Sequence, residues 1–300
     1  MGKLAGKVAL ITGGARGQGR AHAVRLARDG AQIVFCDVPE QMDLVPYPMA
    51  SEQDFKETVE AVEALDRRCI GLKADVRSAE DMNAAAQTCV DEFGRVDILV
   101  ANAGIGIPGT WDTPEASFDA MVEVNLKGVF LACRAVIPHM ISAGRGGSLI
   151  LTSSVAGIRP YHGLTAYVAA KHGVVGLMRS LSADLGPYRI RVNAILPGLV
   201  NSPMIMNDTF MSGLAGKPTG GTPDDVAWFG RTVHLLPEPW TTGESIAHAA
   251  AFLASDEAAC ITGAEIPVDL GTANQPPGMP MFVAEELARA RAAAIGPAGG

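Results

Sequence analysis

Residues 8–37, VALITGGARGQGRAHAVRLARDGAQIVFCD, decide the fold. Val8 to Thr12 is a short apolar, β-branched run that stops at glycines, the pattern of a strand buried on both faces of a parallel sheet. Gly13, Gly14, Gly17 and Gly19 follow, and a helical pattern through Ala21, Val24 and Leu26 runs to a stop at Gly30. A second apolar run, Ile33 to Cys36, ends at Asp37. Glycines alone would mean only a turn needing positive φ. Strand, glycine turn, helix, strand and an acid 18 residues beyond Gly19 together make a dinucleotide-binding βαβ unit. Its glycines let the backbone approach a pyrophosphate, whose charge sits at the helix N-terminus. Gly13, Arg16, Gly17, Gln18 and Gly19 are the candidate contacts. Asp37 points to NAD, since a carboxylate there accepts from ribose hydroxyls and repels a 2′-phosphate. Arg16 could pair with such a phosphate instead, but Val38 and Pro39, which follow Asp37, are not basic, so NAD is favoured.

Outward from this unit, Pro39 to Ser51 (PEQMDLVPYPMAS) holds three prolines and no clean periodicity. It reads as an inserted loop, long for a βα connection, of the kind that serves as a lid or stays disordered. Met42, Tyr47 and Met49 give it apolar groups to pack with. Ser51 then caps a helix through Leu65, with Asp54 completing the S-x-x-D start. Further strands are expected at Cys69–Leu72, Asp97–Ala101, Ser148–Thr152, Ile190–Leu196 and Ala264–Val268, with helices at Ser78–Phe93, Glu115–Ile141, through Tyr167 to Leu185, and Ser245–Leu253. Asn201 to Thr242 reads as irregular and rich in Pro, Gly and Met, an adaptable apolar segment suited to a substrate lid, or else a core patch under a long loop. The expectation is a single-domain α/β Rossmann fold over residues 1–271, a doubly wound parallel seven-stranded sheet with helices on both faces. Residues 272–300 form a Pro/Gly/Ala-rich tail with a short helix from Val283 to Ala294.

Composition narrows the partners. Hydrophobic residues at 48% and 34 glycines suit a well-buried α/β domain with many tight turns. A net charge of −8 argues against nucleic acid or an anionic membrane as partner. The cysteines, Cys36, Cys69, Cys89, Cys133 and Cys260, are odd in number and contain no C-x-x-C, which points to a reducing compartment, no disulfides and no metal site. The opening apolar run is too short to span a membrane and no cleavable leader precedes it, so a cytoplasmic protein is expected.

Chemistry concentrates at SVAGIRPYHGLTAYVAAK, Ser154 to Lys171. Tyr167 and Lys171 are one helical turn apart and project from one face. An ammonium beside a phenol favours phenolate and should lower its pKa from about 10 into a usable acid/base range. Alone, the pair is more often a solvated helix face. Asn102-Ala103-Gly104 opens a turn at a strand's carboxyl end, where ligands of open α/β sheets sit. Asn125, mid-helix in VEVNLKGVF, is unfavourable without partners; an interhelical hydrogen bond and a catalytic role are equally consistent with it.

T-G-G-x-x-G-x-G at Thr12 to Gly19, N-A-G at Asn102, V-N-L-x-G around Asn125, S-S-V-A-G at Ser153, Y-x-x-x-K and P-G at Pro197 come in an order and spacing that resembles the short-chain dehydrogenase/reductase family, from roughly Leu4 to Gly271. In that family the catalytic serine lies thirteen residues before the tyrosine, which selects Ser154 over Ser153. The resemblance implies a secondary alcohol and its ketone interconverted by hydride transfer. Tyr167 would be the acid/base, Lys171 would hold the nicotinamide ribose, Ser154 would orient the substrate oxygen, and Asn125 would position a relay water. It further implies adenine contacts at Asp75 and Val76, and nicotinamide contacts at Pro197, Val200 and Ser202. GKVALITGGARGQGRAHAVRLA, VAAKHGVVGLMRSLSADL, LVNSPMI and FLASDEAACITGAEIPVD are similar to the actinobacterial carveol-dehydrogenase-like branch, although Pro197-Gly198-Leu199 follows the general family. That branch implies tightly held NAD re-oxidised by the carrier mycofactocin; the family implies a homotetramer, with a dimer as the alternative. Ile105, Ile107, Trp111, Tyr161, His162, Leu164 and the Met-rich segment suggest an apolar pocket for a terpenoid or alicyclic alcohol, His162 otherwise being a surface residue. The rivals are a reductase with freely exchanging NAD(P)H and a catalytically inactive nucleotide-sensing scaffold.

Overall fold

β-Branched and apolar runs that cannot expose either face set the architecture, because each strand needs helices above and below it. The computed structural model describes residues 2–276, 278, 280, 282–287 and 289. In chain order the elements are β1 (Val8–Thr12), α1 (Gly17–Arg28), β2 (Gln32–Asp37), α2 (Glu52–Glu63), β3 (Cys69–Lys73), α3 (Ala79–Phe93), β4 (Ile98–Ala101), α4 (Glu115–Val122), α5 (Gly128–Ala143), β5 (Gly147–Thr152), α6 (Thr165–Leu185), β6 (Ile190–Pro197), α7 (Asp208–Ala215), α8 (Pro223–Val233), α9 (Gly243–Ala254) and β7 (Glu265–Val268). The seven strands are parallel, in the order β3-β2-β1-β4-β5-β6-β7. The order reverses between β1 and β4, and the crevice at their carboxyl ends is where such sheets bind ligands.

Alternate residues of each strand feed opposite cores, as a period of two requires. Leu10, Val34, Leu99 and Leu149 pack with Met82, Val136, Val174 and Met178 on one face. Ala9, Ile33, Phe35 and Ile150 pack with Leu26, Val62, Ile246 and Leu253 on the other. No helix among the described residues is long and apolar enough to cross a membrane.

Two stretches differ from the sequence reading, and the expected tail helix is met in part. The helix expected over Glu115–Ile141 is interrupted by a π turn at Glu123–Lys127, which carries Asn125. The segment read as irregular after Asn201 contains α7 and α8. Asn207 caps the first by accepting from Phe210 N; Thr222 and Asp225 form a capping box around Pro223 on the second. In the tail, residues 282–287 are helical, Val283 is buried, and Glu286 takes both carboxylate oxygens to Arg231 of α8. The rest of the expected tail helix beyond residue 289 lies outside the described residues.

Candidate active site

The glycine turn after β1 is tight enough that only hydrogen fits. A Cβ on Gly19 would lie 1.8 Å from Gly13 O, and one on Gly13, at φ +66°, would lie 2.8 Å from Ala103 Cα. Above Gly17 the space is open, its would-be Cβ meeting only Pro203 Cδ at 3.9 Å. Arg16 at the N-cap gives no side-chain cap, and the first turn of α1 has no acid, so its leading N–H groups remain available to an anion. A cavity runs from here, lined by Gly13, Arg16, Gly17, Gln18 and Gly19, past Asp37 and Val38 to Asp75 and Val76, and along Asn102, Ala103 and Gly104 to Ser202. Asp37 accepts from Ala15 N at 3.0 Å and Val38 N at 2.9 Å. Burial raises its pKa against the pull of those two donors. Burial also acts to raise Asp75, but the Arg77 guanidinium at 2.6 Å prevails and holds that carboxyl below its usual range. A glycine cradle, an uncapped helix N-terminus and a strand-end carboxylate fit a dinucleotide lacking a 2′-phosphate.

The loop over residues 39–51 is folded across this cavity. Gln41 Nε2 donates to Met42, Val45 and Tyr47 carbonyls while its Oε1 accepts from Met49 N, cross-tying the loop. Tyr47 is buried; its hydroxyl accepts from Gly106 N at 2.9 Å and its ring meets Phe210 edge-on at 6.2 Å. Arg16 Nη2 donates to Pro48 O.

Beside the nucleotide cavity lies an apolar one, with Ser154 and Tyr167 in its wall. Lys171, one turn beyond Tyr167, is buried; its Nζ donates to Thr152 O at 2.9 Å and sits 5.6 Å from the Tyr167 ring centre. On the nucleotide side it approaches Gly104, whose would-be Cβ lies 3.6 Å from Nζ. Ser153 donates to Lys171 O at 2.9 Å, tying the end of β5 to α6. The expectation that Lys171 lowers the Tyr167 pKa is corrected. Burial pushes the phenol up to about 12, only partly offset by the Ser154 hydroxyl. Burial likewise lowers Lys171 to about 8. An ammonium directed at a carbonyl, over the ring rather than on the phenolic oxygen, does not overcome that desolvation.

Asn125 proves fully partnered. Its Oδ1 accepts from Ile105 N at 2.8 Å and its Nδ2 donates to Ile105 O at 2.9 Å. Both bonds go to the turn after β4 and neither to another helix. The side chain pins the turn after β4, and Gly104 leaves room for it. Pro197 and Val200 are set back from the nucleotide cavity: Pro197 O faces the Ser154 hydroxyl at 3.5 Å, and Val200 is buried and bridges to Thr241.

Tyr161 and Leu164 do line the apolar cavity, with Met204, Ile205 and Phe210 from the segment after β6. Trp111, at 90% exposure, and exposed His162 do not. Leu214 of α7, Phe229 and Val233 of α8, and His234, all in the segment read as a substrate lid, also line it; that helices carry them, and that Thr272 joins them from the tail, escaped the sequence reading. The helical spacing of Phe229 and Val233 behind a T-P-x-D cap was the available signal.

The short chain dehydrogenase family model matches residues 7–211. The (−)-trans-carveol dehydrogenase of Rhodococcus erythropolis is 43% identical over 274 residues, 91% of this chain and 99% of that protein. The crystal structure of carveol dehydrogenase from Mycobacterium avium in complex with NAD superposes with a TM-score of 0.89 at 44% identity, covering 91% of this chain and 99% of that one. A short chain dehydrogenase from Mycobacterium paratuberculosis bound to NAD gives a TM-score of 0.81 at 40% identity, with coverage of 91% and 99%.

Proposed function

Since the chain belongs to the short-chain dehydrogenase/reductase family, we propose that it is an NAD-dependent oxidoreductase interconverting a secondary alcohol, carveol-like or alicyclic, and its ketone. The observation that carries this reading is the placement of Tyr167 and Ser154 in the wall of an apolar cavity, with Lys171 reaching from the same helix toward the nucleotide side. NAD, when bound, supplies the hydride acceptor for oxidation and, reduced, the donor for the reverse reaction. The chain's own work is positional and protonic. The Ser154 hydroxyl orients the substrate oxygen beside the Tyr167 phenol and stabilises charge developing there. Tyr167 moves the proton at its phenolic oxygen. At neutral pH that group is a phenol, with a pKa of about 12. It can therefore donate directly to a ketone, whereas alcohol oxidation first requires its deprotonation. Lys171 holds positive charge against the ring and toward the nicotinamide ribose, and Asn125 keeps the turn after β4 in register with both. The apolar walls exclude water and favour a terpenoid over a sugar.

NAD rather than NADP is supported by the half-buried Asp37 carboxylate at the end of β2, held by Ala15 N and Val38 N in the wall of the nucleotide cavity. The tied-down loop over residues 39–51 supports the finer reading that NAD is held tightly and re-oxidised in place by mycofactocin. Release and identification of the nucleotide after exhaustive dialysis tests it; a protein that dialyses to the apo form and turns over freely with added NAD belongs to the exchanging type. The presence of Ser154, Tyr167 and Lys171 together speaks against an inactive scaffold. A homotetramer is supported by Phe130 on α5 and Phe252 on α9, both large apolar side chains left about 40% exposed. A cytoplasmic location is supported by five free cysteines. Tyr167→Phe is the decisive variant. It should cut turnover of an alicyclic alcohol by about 10²–10⁴-fold with nucleotide binding intact; undiminished turnover removes Tyr167 from the chemistry.

A further inference from the structure

The nucleotide cavity and the apolar cavity share a partition built from three separate segments of the chain. Tyr47, from the loop over residues 39–51, lines the nucleotide cavity; Phe210, on the first turn of α7, lines the apolar one; Met204 lines both. Gly106, in the turn after β4, joins them. Its N–H donates to the buried Tyr47 hydroxyl at 2.9 Å. Where it lacks a side chain the lid rests: a Cβ there would lie 2.9 Å from Phe210 Cζ and 3.4 Å from Met204 Sδ. The Tyr47 and Phe210 rings meet edge-on with their centres 6.2 Å apart. Loop, strand-end turn and lid helix thus converge on one residue.

Both sides of this junction are cross-tied. Asn207 donates to Pro203 O at 3.0 Å and Met204 O at 2.8 Å, and accepts from Phe210 N at 3.2 Å, so one side chain links Met204 to Phe210. On the other side Asn125 holds Ile105, next to Gly106, through both its N–H and its carbonyl. Tyr47 is therefore seated against a fixed floor, Gly106, with Phe210 against its ring. For the loop to lift from the nucleotide cavity, Tyr47 must leave both. An aromatic edge contact and the acceptor of a buried N–H are each costly to give up.

We infer that Phe210 is a positioning residue for the nucleotide: acting through Tyr47, it sets how fast NAD leaves, so that cofactor release is controlled from the substrate lid. This rests on the assignment of the two cavities to NAD and to the alcohol. The loop lifts once α7 has given way. A lid closed over substrate is then also a lock on the cofactor, and NAD exchanges from the open lid that follows product departure.

The test uses the full-length protein charged with NADH and mixed with excess NAD, the fall in bound-NADH fluorescence giving the release rate. The thermal midpoint of each variant is read alongside. Phe210→Ala should speed release by about three- to tenfold, the worth of one aromatic pair, although Phe210 does not line the nucleotide cavity. Leu214→Ala, which widens the same apolar cavity from one turn further along α7, should leave the release rate near that of the parent. In Tyr47→Ala release should already be fast, and adding Phe210→Ala should change it little, because the two side chains act as a unit. An unchanged rate in Phe210→Ala, an equal acceleration in Leu214→Ala, or effects of Tyr47→Ala and Phe210→Ala that multiply overturns the inference and leaves the alcohol dehydrogenase reading standing. A protein that binds no NADH overturns that reading and this inference together.

Discussion

At Tyr167 the identity of the residue was legible and its acidity was not. A tyrosine four residues before a lysine, with a serine thirteen residues upstream at a strand end, is a local pattern. Desolvation comes from everything packed around the hydroxyl, and it reverses the expected direction of the shift. Two predictions belong at this scale. Gly19→Ala would drive a methyl group into Gly13 O and close the glycine cradle, so thermal stability should fall and titrated NAD should no longer bind. His22, buried in α1 with neither ring nitrogen partnered among the described residues, has its pKa lowered by burial from 6.5 to about 4. The unfolded chain then binds the extra proton first, so stability is unaffected above pH 6.5 and is lost as pH falls from 6.5 toward 4. The loss reaches about 3 kcal/mol. His22→Leu should flatten this acid limb in urea melts at pH 4.5, while differing little in slope at pH 7.5.

Among the elements, the strands and the first βαβ unit were readable because each is an uninterrupted apolar run ended by Gly or Asp. The π turn was not, since one extra residue in a helix leaves the apolar pattern on both sides intact and shows only in Asn125 facing Ile105. α7 and α8 were missed despite their caps, because Met and Gly masked the periodicity between Asn207 and Gly230. The loop over residues 39–51 offers the sharpest test at this scale. Tyr47→Phe keeps the ring against Phe210 but removes the acceptor for the buried Gly106 N–H, a loss of about 1–3 kcal/mol. If the loop retains the nucleotide, its dissociation should quicken by about tenfold, followed as loss of bound NAD during timed gel filtration. An unchanged rate would assign retention to the glycine turn alone.

For the whole molecule, a parallel doubly wound sheet was legible from seven strands alternating with helices, but the order β3-β2-β1-β4-β5-β6-β7 was not, since it depends on which strands meet across the chain. The reversal that creates the binding crevice leaves β1 flanked by β2 and β4, with Ala9 paired to Ile33 on one side and to Ile98 on the other. That pairing also sets a schedule for biosynthesis. β2 leaves the ribosome soon after β1, whereas β4 lies about 90 residues downstream, which at about 5–20 residues per second is a delay of roughly 4–18 s. Throughout that interval the second edge of VALIT, a strand buried along its whole length in the finished protein, has no strand to pair with. The same strand that places the glycine turn at the centre of the finished protein is thus the segment a chaperone would need to shield while the protein is being made.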